Sequence, residues 1–204
     1  MKVAIAGTGE MARTLGQAWV TSGHQVTIAG RNRVKAEQLA RNIGASVSDL
    51  HDVADTGDIV VLAITWGGAL SVLGALGASD GALSGKVVID PINAVEHGIG
   101  RLLQLEASTA ELIAGASPGA SVVKALNIFP ATYWQHEHTS VPTVAIAGDD
   151  PVALDAVGKL ISDLGAQAET LGPLSRARQL EEVAGFVIGL SFKGIDPCFA
   201  VPGL

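Results

Sequence analysis

Short apolar runs alternate along the chain with longer segments in which apolar residues recur at helical spacing. The first run, residues 3–6, contains no charge, which is typical of a strand buried on both faces of a sheet. Residues 12–20 carry apolar side chains at helical spacing, Gly23 ends that helix, and residues 26–29 form a second buried strand. The pattern therefore predicts a strand–helix–strand unit at the start of the chain.

The same alternation continues to the end of the chain and predicts one mainly parallel, doubly wound α/β sheet. Further strands are expected at 58–64, 86–90, 121–126, 141–147 and 167–171, with a short strand and a short helix within 45–55. Further helices are expected at 33–43, 69–76, 102–114, 152–164 and 174–192, with a loop at 94–101 and an irregular segment at 130–139. The 204 residues suit a single domain, which includes the C-terminal helical extension.

A glycine-rich turn joins the first strand to the first helix and reads Gly7-Thr8-Gly9-Glu10-Met11-Ala12. Gly7 permits the tight bend, Gly9 lets a pyrophosphate approach the backbone, and the small Ala12 lets the helix pack close to the strand. The free N–H groups at the helix start attract phosphate charge. The turn predicts a dinucleotide-binding domain of the Rossmann type. The alternative is an α/β protein that needs a tight turn and binds nothing there.

Cations follow the second predicted strand, where NAD sites usually place an acid that holds the ribose 2′-hydroxyl. This chain has Arg31, Asn32, Arg33 and Lys35 there, although its net charge is −7. A guanidinium fork suits a 2′-phosphate, and a carboxylate would repel it. We therefore expect NADP(H) as the cofactor. The alternative is that these charges only solvate the next helix, but cations oppose the dipole at a helix N-terminus.

Composition narrows the class of protein further. The chain is 48% hydrophobic and 16% charged, which suits a sheet covered on both sides, and its acidic balance argues against nucleic-acid binding. The single Cys198 excludes an internal disulfide. Together with a start that reads as a strand rather than a signal peptide, it leads us to expect a cytoplasmic protein. No apolar run reaches about 18 residues, so no membrane contact is expected.

Polar and aromatic side chains stand at the other strand ends, where ligands of such sheets lie. Ile64, Thr65 and Trp66 end one strand, Asn93 follows another, and Asn127 ends a third. The Trp66 ring could pack on the nicotinamide or on a second flat ring, and the asparagine amides could bind a carboxamide or the acceptor. Trp66 and Asn127 are therefore the candidate catalytic residues. The alternatives are a packing tryptophan and turn asparagines.

Histidines and a lysine offer weaker candidates. The segment His136-Glu137-His138 invites a metal, but it shows no third ligand, so no metal site is expected. His97 lies in a glycine-flanked loop and could approach an acceptor. Lys124 is a weak candidate for a general acid, since it is expected on a strand. A carbonyl substrate needs such an acid, whereas a flavin-like acceptor needs mainly stacking and distance.

The sequence resembles the NADPH-dependent F420 reductases, also called F420-dependent NADP oxidoreductases, and more distantly the ferric reductase domains of STEAP proteins. The resemblance covers nearly the whole chain. It rests on Gly7-Thr8-Gly9-Glu10-Met11, Gly30-Arg31-Asn32-Arg33, Ile64-Thr65-Trp66, Lys124-Ala125-Leu126-Asn127, Ala147-Gly148-Asp149-Asp150 and Gly172-Pro173-Leu174-Ser175. It implies hydride transfer between NADPH and the deazaflavin coenzyme F420, and a dimer closed by the C-terminal helix.

The resemblance also implies roles for particular residues. The NADP phosphates would be bound by residues 8–11, Arg31, Asn32 and Lys35, and the path to the nicotinamide would be lined by Ile64 and Trp66. The first hypothesis is therefore an NADPH-dependent oxidoreductase that holds its cofactor and a small, flavin-like acceptor face to face. The alternatives are a reductase of a small imine or carbonyl compound, and a non-catalytic NADP(H)-binding protein.

The last predicted helix is apolar nearly all round in its second half, so it must be buried on more than one side. Gly185 and Gly189 are four residues apart and leave a shallow groove in which another backbone can come close. We expect a homodimer whose interface includes residues 180–192, with the tail at 197–204 near the partner's acceptor site. The alternative is that the helix packs between its own sheet and its own tail.

Overall fold

The computed structural model describes residues 1–104, 106–136 and 139–200, and within them eight strands form one sheet flanked by seven helices. The strands are β1 Lys2–Ala6, β2 Gln25–Ala29, β3 Ser46–Val47, β4 Ile59–Leu62, β5 Val87–Asp90, β6 Ser121–Lys124, β7 Thr143–Gly148 and β8 Gln167–Gly172. The helices are α1 Glu10–Thr21, α2 Arg33–Ile43, α3 Val53–Thr56, α4 Trp66–Ala75, α5 Thr109–Ala116, α6 Pro151–Ser162 and α7 Ala177–Ser191.

The strand order is β3-β2-β1-β4-β5-β6-β7-β8. All neighbours are parallel except β6 and β7, which run antiparallel. The first six strands have the order of a Rossmann fold, so the predicted fold class is confirmed. The order reverses between β1 and β4, and ligands of such sheets bind in the crevice that this reversal opens at the carboxyl ends of the strands.

Two apolar cores, one on each face, hold the sheet between the helices. Alternate residues of β1 divide between them: Val3 and Ile5 pack toward α1, α2 and α6, whereas Ala4 and Ala6 pack toward α3, α4 and α5. Burial of both faces explains why the strand sequences are runs of apolar residues rather than alternating ones.

Two predicted helix starts are wrong. The helix expected at 102–114 begins at Thr109, because Ser108 and Glu111 form a reciprocal capping box that fixes the first turn. Leu102 instead pairs with Val95 in an antiparallel bridge. The helix expected from residue 69 begins at Trp66, so this side chain belongs to a first helical turn.

The glycine groove on α7 is filled by the chain itself. A Cβ atom on Gly185 would lie 2.2 Å from the carbonyl oxygen of Gly100, and one on Gly189 would lie 2.6 Å from that of Ile99. The expectation that the two glycines leave room for a second chain is therefore wrong, because the loop before α5 occupies that room.

Within the described ranges, the structure contains no helix of the length and apolar character needed to cross a membrane. Glu137 and His138 of the weighed metal motif, and positions 201–204 of the expected partner-facing tail, lie outside the described residues.

Candidate functional site

A cavity of ≈ 910 Å³ opens at the carboxyl edge of the sheet, where the strand order reverses. This volume is at the upper end of the range of about 300–1,000 Å³ that is typical of small-molecule sites. The cavity brings together most of the predicted site residues: Gly7, Thr8, Gly9, Glu10, Met11, Arg31, Asn32, Lys35, Ile64, Thr65, Trp66 and Asn93. It does not include Arg33 or Asn127 among its lining residues.

The glycine turn has the geometry that a phosphate cradle needs. Gly7 has φ +148°, and a Cβ there would lie 2.1 Å from the carbonyl oxygen of Ala63, so only glycine fits. A Cβ on Gly9 would have no atom within 4 Å, because this side of the backbone faces the cavity. A phosphate could therefore approach the Gly9 backbone directly, while Ala12 is fully buried against the sheet.

Two helices begin at this cavity. α1 starts after Gly9 and α4 starts after Thr65, and neither N-cap residue forms a side-chain hydrogen bond to its helix. The N–H of Gly68 donates to the carbonyl oxygen of Thr65 at 3.0 Å, and the other N–H groups of the first turns can bind an external acceptor. Since both helix dipoles present partial positive charge to the same space, an anion such as a pyrophosphate is stabilised there.

Arg31 and Lys35 supply full positive charge at the end of β2. Both line the cavity, and neither forms an ion pair with any carboxylate of the described residues. A Cβ on Gly68 would lie 3.7 Å from an Arg31 guanidinium nitrogen, which places that group beside the start of α4. The two cations are thus available to a phosphate on the ribose.

Arg33 and Asn32, unlike Arg31 and Lys35, are engaged by groups of the chain itself. The Arg33 guanidinium donates to Glu37 at 3.0 Å and to Asp49 at 2.7 Å, and these bonds, the one to Glu37 first, raise its pKa. Arg33 is therefore occupied outside the cavity. The Asn32 side chain lines the cavity, but its Oδ1 also accepts from the backbone N–H of Lys35 and caps α2.

Glu10 is the one acid among the cavity-lining residues that the structure describes. Its carboxylate accepts two hydrogen bonds from the Arg13 guanidinium, at 3.1 and 2.8 Å. The bond to Arg13 lowers the pKa of Glu10. Glu10 is thus a charged, paired group and not a proton donor.

Trp66 lines the cavity and is partly buried on the core beneath α4. Trp66 is therefore both a packing residue and a candidate ligand contact, because one part of the side chain packs on the core and another part lines the cavity. Ile64 and Thr65 line the same wall.

Asn93 and Asn127 form a reciprocal amide pair behind the cavity. Asn93 donates from Nδ2 to the carbonyl oxygen of Asn127 at 2.6 Å, and Asn127 donates from Nδ2 to Oδ1 of Asn93 at 2.9 Å. Asn127 is buried and also donates to the carbonyl oxygen of Leu180, so it holds Asn93 in place. The second Nδ2 hydrogen of Asn93 is left to serve a ligand.

The backbone before Asn127 is strained. Leu126 has φ +63°, a left-handed conformation that is costly for a residue with a side chain. Because Leu126 is buried, its own packing holds this conformation and turns the chain so that Asn127 meets Asn93 and α7.

A buried polar cluster that was not predicted from the sequence lies under the cavity wall. The Lys124 ammonium is 3.0 Å from Asp90 Oδ2, 2.8 Å from Glu181 Oε1 and 2.8 Å from Thr109 Oγ1, and it also donates to the carbonyl oxygen of Ile92. Lys124 and Asp90 are fully buried and Glu181 is nearly so. The cluster joins β5, β6, α5 and α7, and it removes Lys124 from consideration as an acid for an acceptor.

Sequence signals for this cluster did exist. Lys124 is a charge inside a strand that should be buried on both faces, and Glu181 is a charge on the apolar stripe of α7. Asp90 and Lys124 are register partners on neighbouring strands. The sequence alone does not show that these charges pair, because the pairing depends on which strands are neighbours in the sheet.

Comparison with known proteins finds similar oxidoreductases. Residues 2–94 match the family model described as NADP oxidoreductase, coenzyme F420-dependent. The chain is 29% identical over 183 residues to the metalloreductase STEAP3 of Rattus norvegicus, a match that covers 89% of this chain and 36% of that protein. The chain thus spans about a third of the length of this curated relative.

Solved structures agree with the family match. A candidate F420-dependent NADP reductase from Arthrobacter sp. FB24 superposes with a TM-score of 0.82 at 28% identity, over 96% of both chains. A reductive aminase from Aspergillus terreus, solved with NADPH and ethyl-5-oxohexanoate, has a TM-score of 0.69 at 19% identity, over 95% of this chain and 62% of the aminase. The second likeness is one of fold.

Proposed function

We propose that the protein transfers a hydride between NADP(H) and a flat, flavin-like acceptor, because residues 2–94 of the chain match the family model described as NADP oxidoreductase, coenzyme F420-dependent. Coenzyme F420 is the first candidate for that acceptor, as the family description names it. The observation that carries the proposal is the pair of cations, Arg31 and Lys35, that stand without a carboxylate partner in the described chain on the wall of a phosphate-binding cavity.

The residues at the β2 end of the cavity fit NADP(H). The open side of Gly9 and the starts of α1 and α4 suit the pyrophosphate, and Arg31 and Lys35 suit the 2′-phosphate. When bound, the cofactor supplies the hydride. The chain contributes binding, and it sets the distance between the two reacting rings.

The acceptor end lies across the sheet edge, beyond the end of β4. Trp66 offers a ring that can stack on a flat ligand, and Asn93 offers one free amide N–H for a carboxamide or an acceptor oxygen. We assign Trp66 to contact with the reacting rings. Asn127 acts through Asn93, which it positions.

Reduction of a small imine or carbonyl compound is the second candidate function. The observation that favours it is His97, which lines the cavity and can serve as the acid that such a substrate requires. A protein that binds NADP(H) without turnover is the third possibility.

We also propose that two copies associate through the outer side of α7. Val183 and Phe186 are exposed three residues apart on this helix, and Phe192 and Ile195 are exposed just after it. Exposed apolar side chains grouped in this way mark interaction surfaces. Gly185 and Gly189 are not part of this surface, because they face the chain's own loop.

The test of function is direct. The affinities for NADPH and NADH are measured first, by quenching of tryptophan fluorescence. The protein and NADPH are then mixed in turn with F420, FMN, FAD, ferric chelates and a cyclic imine, and the nicotinamide absorbance is followed. Tight NADPH binding with oxidation by F420 or a flavin is the expected result. Oxidation by the imine alone favours the second function, and tight binding without any oxidation favours the third.

A further inference from the structure

Residues 94–103 form a hairpin beside the cavity. Val95 and Leu102 pair across it, Glu96 donates its N–H to the carbonyl oxygen of Arg101 at 2.7 Å, and Leu103 donates to Ala94 at 2.7 Å. This segment, which we call the wall hairpin, follows directly on the β5 end that carries Asn93.

The wall hairpin is seated on α7 by contact of backbone with backbone. Gly100 has φ +81°, and a Cβ there would lie 1.9 Å from the carbonyl oxygen of Gly185. Cβ atoms on Gly185 and Gly189 would collide in turn with the carbonyl oxygens of Gly100 and Ile99. Since any side chain at these positions would push the hairpin away, the contact defines where the hairpin stands.

The seated hairpin forms one wall of the cavity. Val95, His97 and Leu103 come from the hairpin and Ile188 comes from α7, and all four line the cavity. Across the sheet edge the order is β2, β1, β4, β5, so this wall is at the end of the cavity opposite the two free cations. Apart from His97 the wall is apolar.

His97 stands out by its chemistry. The ionisable side chains lining the cavity, in the described part of the chain, are Glu10, Arg31, Lys35 and His97. The first three belong to the α1 start and the β2 end, where the phosphates of a dinucleotide would lie. Among these described lining groups the imidazolium of His97 is the one that can give a proton at the opposite end, because Lys124 is enclosed in its own cluster.

The surroundings of His97 hold the ring and leave it open to water. Its ring meets Phe192 edge-on, with centroids 4.7 Å apart. The side chain is exposed. The charged pair nearby on the same hairpin is Glu96 with Arg101, at 2.6 Å, and α7 presents the apolar Ile188. An imidazole in this setting can take up a proton from solvent after each turnover.

We propose, building on the function proposed above, that His97 is the general acid of the reaction and that the glycine-seated wall hairpin positions it. The hydride of NADPH adds to an electrophilic carbon of the acceptor, and the electron pair of the double bond that opens moves to a nitrogen or oxygen, which is adjacent in an imine or carbonyl and conjugated with that carbon in a deazaflavin ring. His97 donates its proton to that heteroatom, the cofactor leaves as NADP⁺, and the imidazole is reprotonated from water. The acceptor is thus an imine, a carbonyl or a conjugated system that contains one, with an apolar face, as in a cyclic imine or a deazaflavin ring.

The test compares His97→Gln with His51→Gln, an exposed histidine paired with Asp52, using F420 and 1-pyrroline as probe acceptors. At neutral pH, kcat/KM of His51→Gln is expected to equal that of the wild type. In His97→Gln kcat/KM is expected to be lower by about a hundredfold or more, mainly through kcat. The NADPH dissociation constant should be the same in all three proteins, which verifies that they are folded.

Two outcomes overturn different claims. A His97→Gln enzyme that oxidises NADPH at the wild-type rate overturns the assignment of His97 and leaves the proposed function standing. A wild-type protein that binds NADPH and oxidises it neither with these probes nor with FMN or FAD overturns the proposed function and the role of His97 together.

Discussion

At the scale of single residues, Arg31 and Arg33 show how surroundings decide the use of a side chain. The two arginines are two positions apart, but only Arg31 lines the cavity, while Arg33 bridges Glu37 and Asp49. Both arginines were predicted to bind the cofactor, because local spacing does not show that Asp49, sixteen residues after Arg33, accepts a hydrogen bond from the Arg33 guanidinium.

This difference gives a matched pair of variants. Arg31→Ala should lose charge-assisted bonds worth about 1.5–3 kcal/mol, or about ten- to a hundredfold in NADPH affinity. Arg33→Ala should change that affinity by about twofold at most, because its exposed ion pairs contribute little. Fluorescence titration with NADPH and NADH measures both. Equal losses for the two cofactors in Arg31→Ala would show that Arg31 does not bind the 2′-phosphate.

Many residues that line the candidate site were predicted from residue identity and spacing alone. The glycine turn, Arg31, Trp66 and Asn93 were found because a local motif or a strand end carries each of them. Asn127 was predicted to lie at the site, but its hydrogen bonds were not predicted, since its partners Asn93 and Leu180 are 34 and 53 residues away in the chain. Long-range side-chain pairing of this kind leaves no periodic signal in a single sequence.

At the scale of elements, the strands were predicted well and the segment between β5 and α5 poorly. Strands β1, β2, β4 and β5 are short apolar runs, and such runs have few other uses in an α/β domain. Residues 102–104 are also partly apolar, so they read as the start of a helix. Their apolar character serves the cavity wall instead, where Leu103 lies.

The seating of the wall hairpin can be tested by adding single methyl groups. Gly185→Ala should displace the hairpin and destabilise the fold by about 1–3 kcal/mol, because the new Cβ overlaps the Gly100 carbonyl. Amides of the hairpin should then exchange hydrogen faster, and KM for the acceptor should rise while NADPH affinity stays constant.

Gly158→Ala is the matched control within a helix. Gly158 lies in α6, and a Cβ there would make an ordinary contact of 3.7 Å with Ala168. This variant should be stabilised by about 0.5–1 kcal/mol, since alanine loses less backbone entropy in a helix. If both variants gain stability, the wall hairpin is not held by α7.

At the scale of the whole molecule, the buried cluster of Asp90, Lys124, Thr109 and Glu181 ties the C-terminal helix to the centre of the sheet. Lys124→Met leaves two buried carboxyl groups without their cation and should lower the free energy of unfolding by about 3–5 kcal/mol.

Lys159→Met provides the comparison for this loss. Lys159 pairs with Asp155 on the exposed side of α6, and such pairs contribute about 0–1 kcal/mol. Urea unfolding followed by circular dichroism measures both variants. Similar, small losses in the two proteins would contradict the assigned importance of the cluster.

Assembly is the second property of the whole molecule that a variant can test. Phe186→Glu places a charge on the outer side of α7 and should convert a dimer to a monomer. Val152→Glu places the same charge on an exposed valine of α6 and should leave the dimer intact. Light scattering at micromolar concentration gives the mass of each. A monomeric wild-type protein would refute the proposed dimer.

One consequence of α7 concerns the lengths of related chains. Glu181, Gly185 and Ile188 follow one another by four and three residues, so the helix presents them on one face to the buried cluster, the wall hairpin and the cavity respectively. One residue inserted between Glu181 and Gly185 would turn everything after it by about 100°. An insertion of two whole turns would restore the faces but shift the hairpin seat by about 10 Å along the axis. Relatives that keep this acid and these glycines should therefore align without a gap between them, even where the flanking loops differ in length.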